Sequence, residues 1–173
     1  MYRTKQLFDR YFSGGIDESA LIAQLELNSD HAEARLQNEL SAAIAARDAD
    51  MVECLVYALL LWQMVHPDGS LHRFLPLLNR LIICSWHTQH ENILLLLQRL
   101  ADATSVRYLY MALFVPLSYM AWDDDCAFQK RCIHLIGAIG TEEAIAALNT
   151  LHRVPRHVVQ WNVSRQLGTY RAS

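Results

Sequence analysis

Two histidines and a glutamate lie close together in the middle of the chain, in the segment from Trp86 to Glu91. His87 and His90 are three residues apart, so one turn of helix would place both imidazoles on the same side. A metal site would need further donors, and only His134 or a distant acid could supply them. The other interpretation is a helix start, with Glu91 near the positive end of the helix dipole. We expect the helix start, and no metal, cofactor or catalytic site.

A second group of polar and aromatic residues falls in the longest predicted loop, after Pro116. One interpretation is a solvated loop that caps a helix starting near Cys126. The other is a contact patch for a basic protein, because aromatic residues anchor interfaces and clustered acids steer a basic partner toward them. Both interpretations stay open on the sequence alone. The candidate partner contacts are Tyr119, Trp122, Asp123, Asp124, Asp125, Trp86, His87 and His90.

A short basic stretch around Pro155 could meet phosphate, and it consists of His152, Arg153, Arg156 and His157, followed later by Arg165 and Arg171. Against nucleic acid as the partner, the net charge is −3 and no dense stripe of lysine and arginine occurs. Ser13-Gly14-Gly15 is not a phosphate loop, because it lacks the following lysine and a preceding strand. No serine or cysteine has a recognisable nucleophile setting.

The composition favours one globular domain covering residues 1–173, since the chain is 53% hydrophobic and 19% charged. The four cysteines form no CxxC pair, so we expect reduced thiols and a reducing, cytoplasmic location. No secretory leader is expected at the N-terminus. The most apolar run, Cys54 to Val65, falls short of the roughly 20 residues that cross a bilayer.

The first half of the chain predicts helices separated by turn residues. A helix over Lys5 to Phe12 ends at Ser13-Gly14-Gly15. Further helices are predicted over 19–27, from 30 to about 47, over 51–65 and over 71–83. Asp17 and Asp30 are the expected N-caps of the first two, and Pro76 should start the last one late or kink it. The helix over 51–65 is apolar nearly all round, so it should be central to the core.

Residues 86–152 repeat one pattern twice: a helix, a short polar turn and a second helix. The first pair flanks the turn at 101–105, and the second flanks Thr141-Glu142-Glu143, with Thr141 as the N-cap of its last helix. A closing helix is predicted over 157–167. Stacked helical hairpins are typical of solenoids, and no alternating strand pattern competes. We therefore predict an all-α protein, an α-solenoid of antiparallel helical hairpins with about ten helices.

These residues resemble HEAT repeats. The start Trp86-His87-x-x-His90-Glu91 and the turn Gly137-Ala138-Ile139-Gly140-Thr141 carry most of the match, which covers roughly residues 84–152. Repeat turns of this kind often carry Pro and Arg where this chain has Ala103-Thr104-Ser105. The N-terminal half is similar only in being helical. The chain looks most like small bacterial HEAT-repeat proteins, some of which are encoded next to polymorphic toxins and act as their immunity proteins.

The resemblance implies HEAT-like hairpins and a role in protein binding without turnover. An immunity protein would bind a toxin domain in the cytoplasm and occlude it sterically and electrostatically. Nuclease toxins are commonly basic, which fits an acidic contact loop. Two alternatives remain, namely a nucleic-acid-binding or DNA-glycosylase-like HEAT protein and a generic scaffold subunit. Salt-sensitive binding to damaged duplex would favour the first of these.

Overall fold

The computed structural model describes residues 2–67, 71–121, 126–153 and 162–168, and these ranges contain helices and no strand. The prediction of an all-α protein is therefore confirmed for them. Three single 3₁₀ turns occur, at Leu71–Phe74, Ala103–Ser105 and Ser118–Met120. The α-helices are α1 (Tyr2–Phe12), α2 (Glu18–Gln24), α3 (Ala32–Ala46), α4 (Ala49–Val65), α5 (Leu75–Leu81), α6 (His90–Leu100), α7 (Val106–Ala112), α8 (Ala127–Ile139), α9 (Glu142–Leu151) and α10 (162–168).

The chain forms two compact units, and the first comprises residues 1–77 and 86–92. Its centre is α4, which packs against α3 and α1, while α1 also packs against α2. As predicted, α4 is buried over most of its circumference, and Leu55 and Val56 are fully buried. Asp17 and Asp48 cap α2 and α4, since their carboxylates accept hydrogen bonds from the backbone N–H groups of Ala20 and Met51.

The second unit comprises residues 78–85 and 93–173, and within it α7 packs against α8 and α9. Gly140 ends α8 in the left-handed conformation, with φ of 68°. Thr141 then caps α9 by accepting a hydrogen bond of 3.3 Å from the backbone N–H of Ala144. The predicted sequence of helix, turn and capped helix is confirmed here. The stacking of such hairpins into a HEAT-like solenoid stays a prediction, as does the single domain.

Three of the local predictions concern the ends of helices. Asp30 does not cap α3, because the residue before the helix is His31 and the backbone carbonyl of Ser29 accepts from the N–H of Ala32 at 3.0 Å instead. Pro76 does delay its helix, since α5 begins at Leu75 after a 3₁₀ turn. The helix predicted after the turn at 101–105, which the apolar run Val106 to Val115 would extend to Val115, ends at Ala112. Pro116 disfavours helical angles at Val115.

The four cysteines occupy buried or half-buried positions. None of the four cysteines forms a disulfide, and Cys54 and Cys132 are buried while Cys84 and Cys126 are half-buried. Burial raises the pKa of the Cys54 thiol to about 11, and burial also raises the pKa of Cys132. Such thiols stay protonated at neutral pH. Among the described helices, none combines the length and apolar character that crossing a membrane requires.

Candidate partner-binding surfaces

The two histidines of the 86–91 segment lie inside the first unit. His87 is 2% exposed and His90 is fully buried. Their rings stack with centroids 4.3 Å apart, and Trp86 meets the edge of His87 at 5.2 Å. The backbone N–H of Gln89 donates to His87 Nδ1 at 3.1 Å, so that nitrogen carries a lone pair and the proton of this neutral ring is on Nε2. Neither imidazole offers surface to a partner in this arrangement.

The surroundings of this pair are those of a helix start. His90 is the first residue of α6, and Glu91 lies exposed in its first turn, near the positive end of the helix dipole. His134, the possible third ligand, lies on α8, where its Nδ1 is 2.7 Å from Nε2 of Gln166. Across the described ranges, no three His, Cys, Asp or Glu side chains are placed to hold a metal ion together.

The predicted contact loop is described only in part. Tyr119 is half-buried in the 3₁₀ turn Ser118–Met120, whereas Trp122, Asp123, Asp124 and Asp125 lie outside the described residues. The segment that precedes them forms one side of a groove of about 480 Å³, which has a size typical of binding pockets. Apolar side chains such as Leu117 and Met120, backbone groups of the segment and Gln129 of α8 line it. We call it the α7–α8 groove.

Two large apolar side chains lie exposed beside this groove. Phe114 lies on its wall and is 46% exposed, and Met111, one helical turn earlier, is 50% exposed. The ring of Tyr110 supports Phe114 with centroids 5.5 Å apart. The chain makes a tight turn after α7, in which the N–H of Phe114 bonds the carbonyl of Met111 at 3.0 Å. In the sequence both residues belong to an apolar run that predicts a longer helix, and the pattern gives no signal of their exposure.

A second exposed apolar surface lies in the first unit and was not predicted. Phe12 at the end of α1 is 56% exposed, and Met64 in the last turn of α4 is 59% exposed. Phe12 contacts Tyr57 of α4, with ring centroids 6.0 Å apart. Because α4 is apolar nearly all round, its sequence carries no signal that distinguishes the exposed face from the buried ones. The sequence predicts that α1 ends at Phe12, but only the folded unit shows that this end lies level with Tyr57 of α4.

The first unit also has a small polar pocket of about 80 Å³. Its lining side chains hydrogen-bond to one another and to the backbone, which leaves little for a ligand to bind. Arg35 donates to the carbonyl of Leu25, and Arg3 donates to the Gln24 carbonyl and the Glu26 carboxylate, both at 3.2 Å. The buried Thr4 hydroxyl donates to Glu39 at 2.8 Å. These bonds join α1, α2 and α3, and they use the charges that a ligand would need.

The basic stretch near Pro155 is described at its edges. His152 follows α9, and its Nδ1 is 3.4 Å from the hydroxyl of Ser164, while Arg153 is exposed. Arg165 lies exposed on α10, and Arg156, His157 and Arg171 lie outside the described residues. Comparisons of the chain with protein-family models, with curated proteins and with solved structures found no match. The resemblance to HEAT repeats therefore stays a prediction.

Proposed function

We propose that this chain is a protein-binding helical-repeat protein that acts as an immunity protein, binding and neutralising a toxin domain in the cytoplasm. The partner docks on the α7–α8 groove together with Met111, Phe114 and Tyr119. No reaction is catalysed. Binding alone inhibits the toxin, by covering the surface that the toxin needs for its own substrate.

The observation that carries this proposal is the pair of exposed apolar side chains at the groove. Isolated exposed apolar residues are common, but Phe114 lies on the wall of a concave surface whose exposed lining is mostly polar, and Met111 is exposed one helical turn earlier. Interface hot spots are typically aromatic side chains that fill a pocket on the partner. Phe114 is already supported by Tyr110, so little side-chain entropy is lost when a partner binds it.

The negative charge of the chain indicates which kind of toxin domain it would bind. The groove segment leads in sequence into Asp123, Asp124 and Asp125, and the whole chain has a net charge of −3. Acids beside an apolar anchor raise the association rate of a basic partner and reject acidic ones. A toxin domain with a positive active-site cleft, such as a nuclease, has the complementary chemistry. We therefore expect a partner with a basic, aromatic-accepting surface.

The test is the affinity of the full chain for the toxin domain encoded beside it, measured by isothermal titration calorimetry. Phe114→Ala should weaken binding about tenfold or more, because it removes the central anchor. Phe12→Ala is the matched control, an exposed phenylalanine on the other unit, and it should leave the affinity unchanged. Failure of the wild-type chain to bind or neutralise the neighbouring toxin would sink the immunity role.

A charge variant separates steering from anchoring. Replacing Asp123, Asp124 and Asp125 by asparagine should slow association several-fold at low salt and leave dissociation nearly unchanged. Replacing Glu142 and Glu143 of α9 by glutamine is the control for altered net charge. If the control slows association as much as the loop variant, the acids act through net charge and the loop has no special role.

A further inference from the structure

One face of α4 is left open for most of its length. Glu53, Tyr57, Leu60 and Met64 are spaced at i, i+4, i+7 and i+11, which places them in a single row along the helix. Glu53 and Met64 are exposed and Tyr57 and Leu60 are half-buried, whereas the other faces of α4 are mostly buried. This row carries the most exposed large apolar side chain of the helix, Met64.

The neighbouring helix covers only the beginning of this row. Lys5 of α1 reaches Asp50 at 3.3 Å, and Tyr11 reaches Tyr57 at 3.0 Å, so the two helices run side by side in the same direction. Helix α1 ends at Phe12, about level with Tyr57, and α4 continues for two more turns. Phe12, Tyr57, Leu60 and Met64 thus form one continuous surface, which we call the α1/α4 stripe.

We propose that the α1/α4 stripe is a docking surface for a basic amphipathic helix of a partner protein. The surface belongs to the first unit, and it is separate from the groove that the proposed function uses. A helix laid along α4 would place apolar side chains at every third or fourth residue against Leu60 and Met64. Its basic residues would then face the acids that flank the stripe.

The stripe is held in shape before any partner arrives. Phe8, Tyr11, Phe12 and Tyr57 form a cluster in which ring centroids lie 5.5 to 6.0 Å apart. The hydroxyls of Tyr11 and Tyr57 share a hydrogen bond of 3.0 Å. That bond, together with burial and the nearby Glu18 charge, raises the pKa of Tyr57 to about 12. An exposed ring fixed this way loses little freedom on binding, which favours affinity.

Acidic side chains outnumber basic ones around the stripe. Glu53 is in the row itself, Glu18 is close enough to affect Tyr57, and Asp9 and Asp50 are 63% and 73% exposed at their side chains. Two basic residues of α1 lie in the same turns, and they balance only part of this negative charge. Lys5 pairs with Asp9 at 3.8 Å and with Asp50 at 3.3 Å, and Arg10 donates to Gln24 at 3.3 Å.

The charges around the stripe favour a basic helix over a membrane or a second copy of the chain. An anionic membrane would be repelled by the flanking acids, since membrane-surface helices carry basic polar faces. A second copy of this chain, related by a two-fold axis, would bring the same acids against each other. A basic amphipathic helix meets both demands of the surface, the apolar row and the negative flank.

The experiment uses the full chain and a fluorescent 18-residue peptide made only of leucine and lysine, with leucine along one helical face. We expect micromolar binding by fluorescence anisotropy. The same peptide with glutamate in place of lysine should bind at least about tenfold more weakly, and so should a scrambled leucine–lysine peptide that lacks an apolar face. Equal binding of all three peptides, or no binding of the first, overturns the proposal.

Matched variants locate the binding on the chain. Met64→Glu should weaken the leucine–lysine peptide about tenfold relative to Gln98→Glu, because both variants gain one negative charge and Gln98 lies exposed on α6, outside both the stripe and the α7–α8 groove. Glu53→Lys should weaken it several-fold relative to Glu143→Lys, its control on α9. Circular dichroism spectra and thermal midpoints verify that each variant is folded. If the control variants lose as much affinity as the stripe variants, the peptide binds elsewhere and the proposal fails.

Two further outcomes would assign the surface to another occupant and overturn the proposal. Sedimentation of the chain with phosphatidylglycerol vesicles, abolished by Met64→Glu, would make it a membrane site. A dimer in analytical ultracentrifugation that Met64→Glu dissociates would make it a self-association site. The toxin affinity measured for Phe114→Ala is independent of all these results, so failure here leaves the proposed function standing.

Discussion

The two exposed apolar surfaces of this chain are built in different ways. The α1/α4 stripe lies on regular helix, and its rings are fixed by one another and by the Tyr11–Tyr57 hydrogen bond of 3.0 Å. The α7–α8 groove is formed where a helix stops early and the backbone continues in turns toward α8. The first is a face that its neighbour is too short to cover, and the second is a concavity made by an interrupted helix.

Their charges differ as well. Acids flank the stripe, whereas the charged residue on the Met111 face of α7 is Arg107, four residues earlier. Its guanidinium lies 4.5 Å from the ring centroid of Tyr108. The acids expected at the groove belong to the loop that follows it in sequence. A flat, negatively flanked face suits a helix, and a concave site suits a protruding side chain. The chain therefore presents two surfaces suited to partners of different shape.

The largest expected effect on stability separates the core residues of α4 and α7 from the exposed residues of the same helices. Leu59 of α4 is 1% exposed and Leu109 of α7 is fully buried, so replacing either by alanine should lower the free energy of unfolding by about 2–5 kcal/mol. Leu60→Ala on the stripe and Met111→Ala beside the groove should each cost less than about 1 kcal/mol. Urea denaturation followed by circular dichroism measures all four.

An equal cost for Leu60→Ala and Leu59→Ala would show that the stripe is packed in solution, and the docking proposal would lose its basis. An equal cost for Met111→Ala and Leu109→Ala would do the same for the groove. The two pairs are independent, because each compares residues of one helix.

Much of the helical pattern could be predicted because helix ends depend on interactions between residues that are close in sequence. Asp17, Asp48 and Thr141 begin helices with side-chain caps, and Gly140 ends one in the left-handed conformation. Asp30 failed as a cap because a backbone turn satisfies the same N–H group. Such competition between side chain and backbone depends on the exact path of the chain and has no sequence signal.

The candidate sites were harder to predict, because exposure depends on the neighbouring elements. His87, His90 and Glu91 have the spacing of a metal site, yet the two imidazoles stack in the interior. Phe12, on the apolar side of α1, and Met64, on the apolar helix α4, look like core residues in the sequence. They are exposed because α1 ends before α4 does. The partner role of Tyr119 and the acidic loop stays a prediction.

A second test uses pH to compare the support of the stripe with the rest of the fold. Burial raises the pKa of Cys54 from 9.0 to about 11, and the Tyr11 hydrogen bond, with burial, raises that of Tyr57 from 10.0 to about 12. The unfolded chain releases these protons first. Stability is therefore full below about pH 9, and it falls as the pH rises toward about 11, because the folded state holds more protons.

Urea midpoints measured at about pH 8 and at several values up to about pH 11 give the slope. Cys54→Ala should reduce the fall that begins near pH 9, and Tyr57→Phe should reduce the fall that begins near pH 10. The buried Cys132 also has a raised pKa, so some dependence remains in both variants. An unchanged slope in Tyr57→Phe would mean that the hydroxyl pair does not stabilise the stripe.

The smallest expected effect tests a close approach in the second unit. An added Cβ on Gly137 of α8 would lie 2.3 Å from Oε1 and 2.9 Å from Cδ of Gln166. This amide is the end of a flexible side chain, so Gly137→Ala would turn it away and break its 2.7 Å bond to His134. The loss of about 1 kcal/mol should nearly cancel the gain of about 0.5–1 kcal/mol from alanine in a helix.

The two terms separate in a second background. In Gln166→Ala the clash and the bond to His134 are both absent, so Gly137→Ala should stabilise the chain by about 0.5–1 kcal/mol there, and much less in the wild type. Thermal denaturation of the four chains of this cycle measures the difference. A large loss from Gly137→Ala in both backgrounds would mean that backbone sets the approach of α10 to α8.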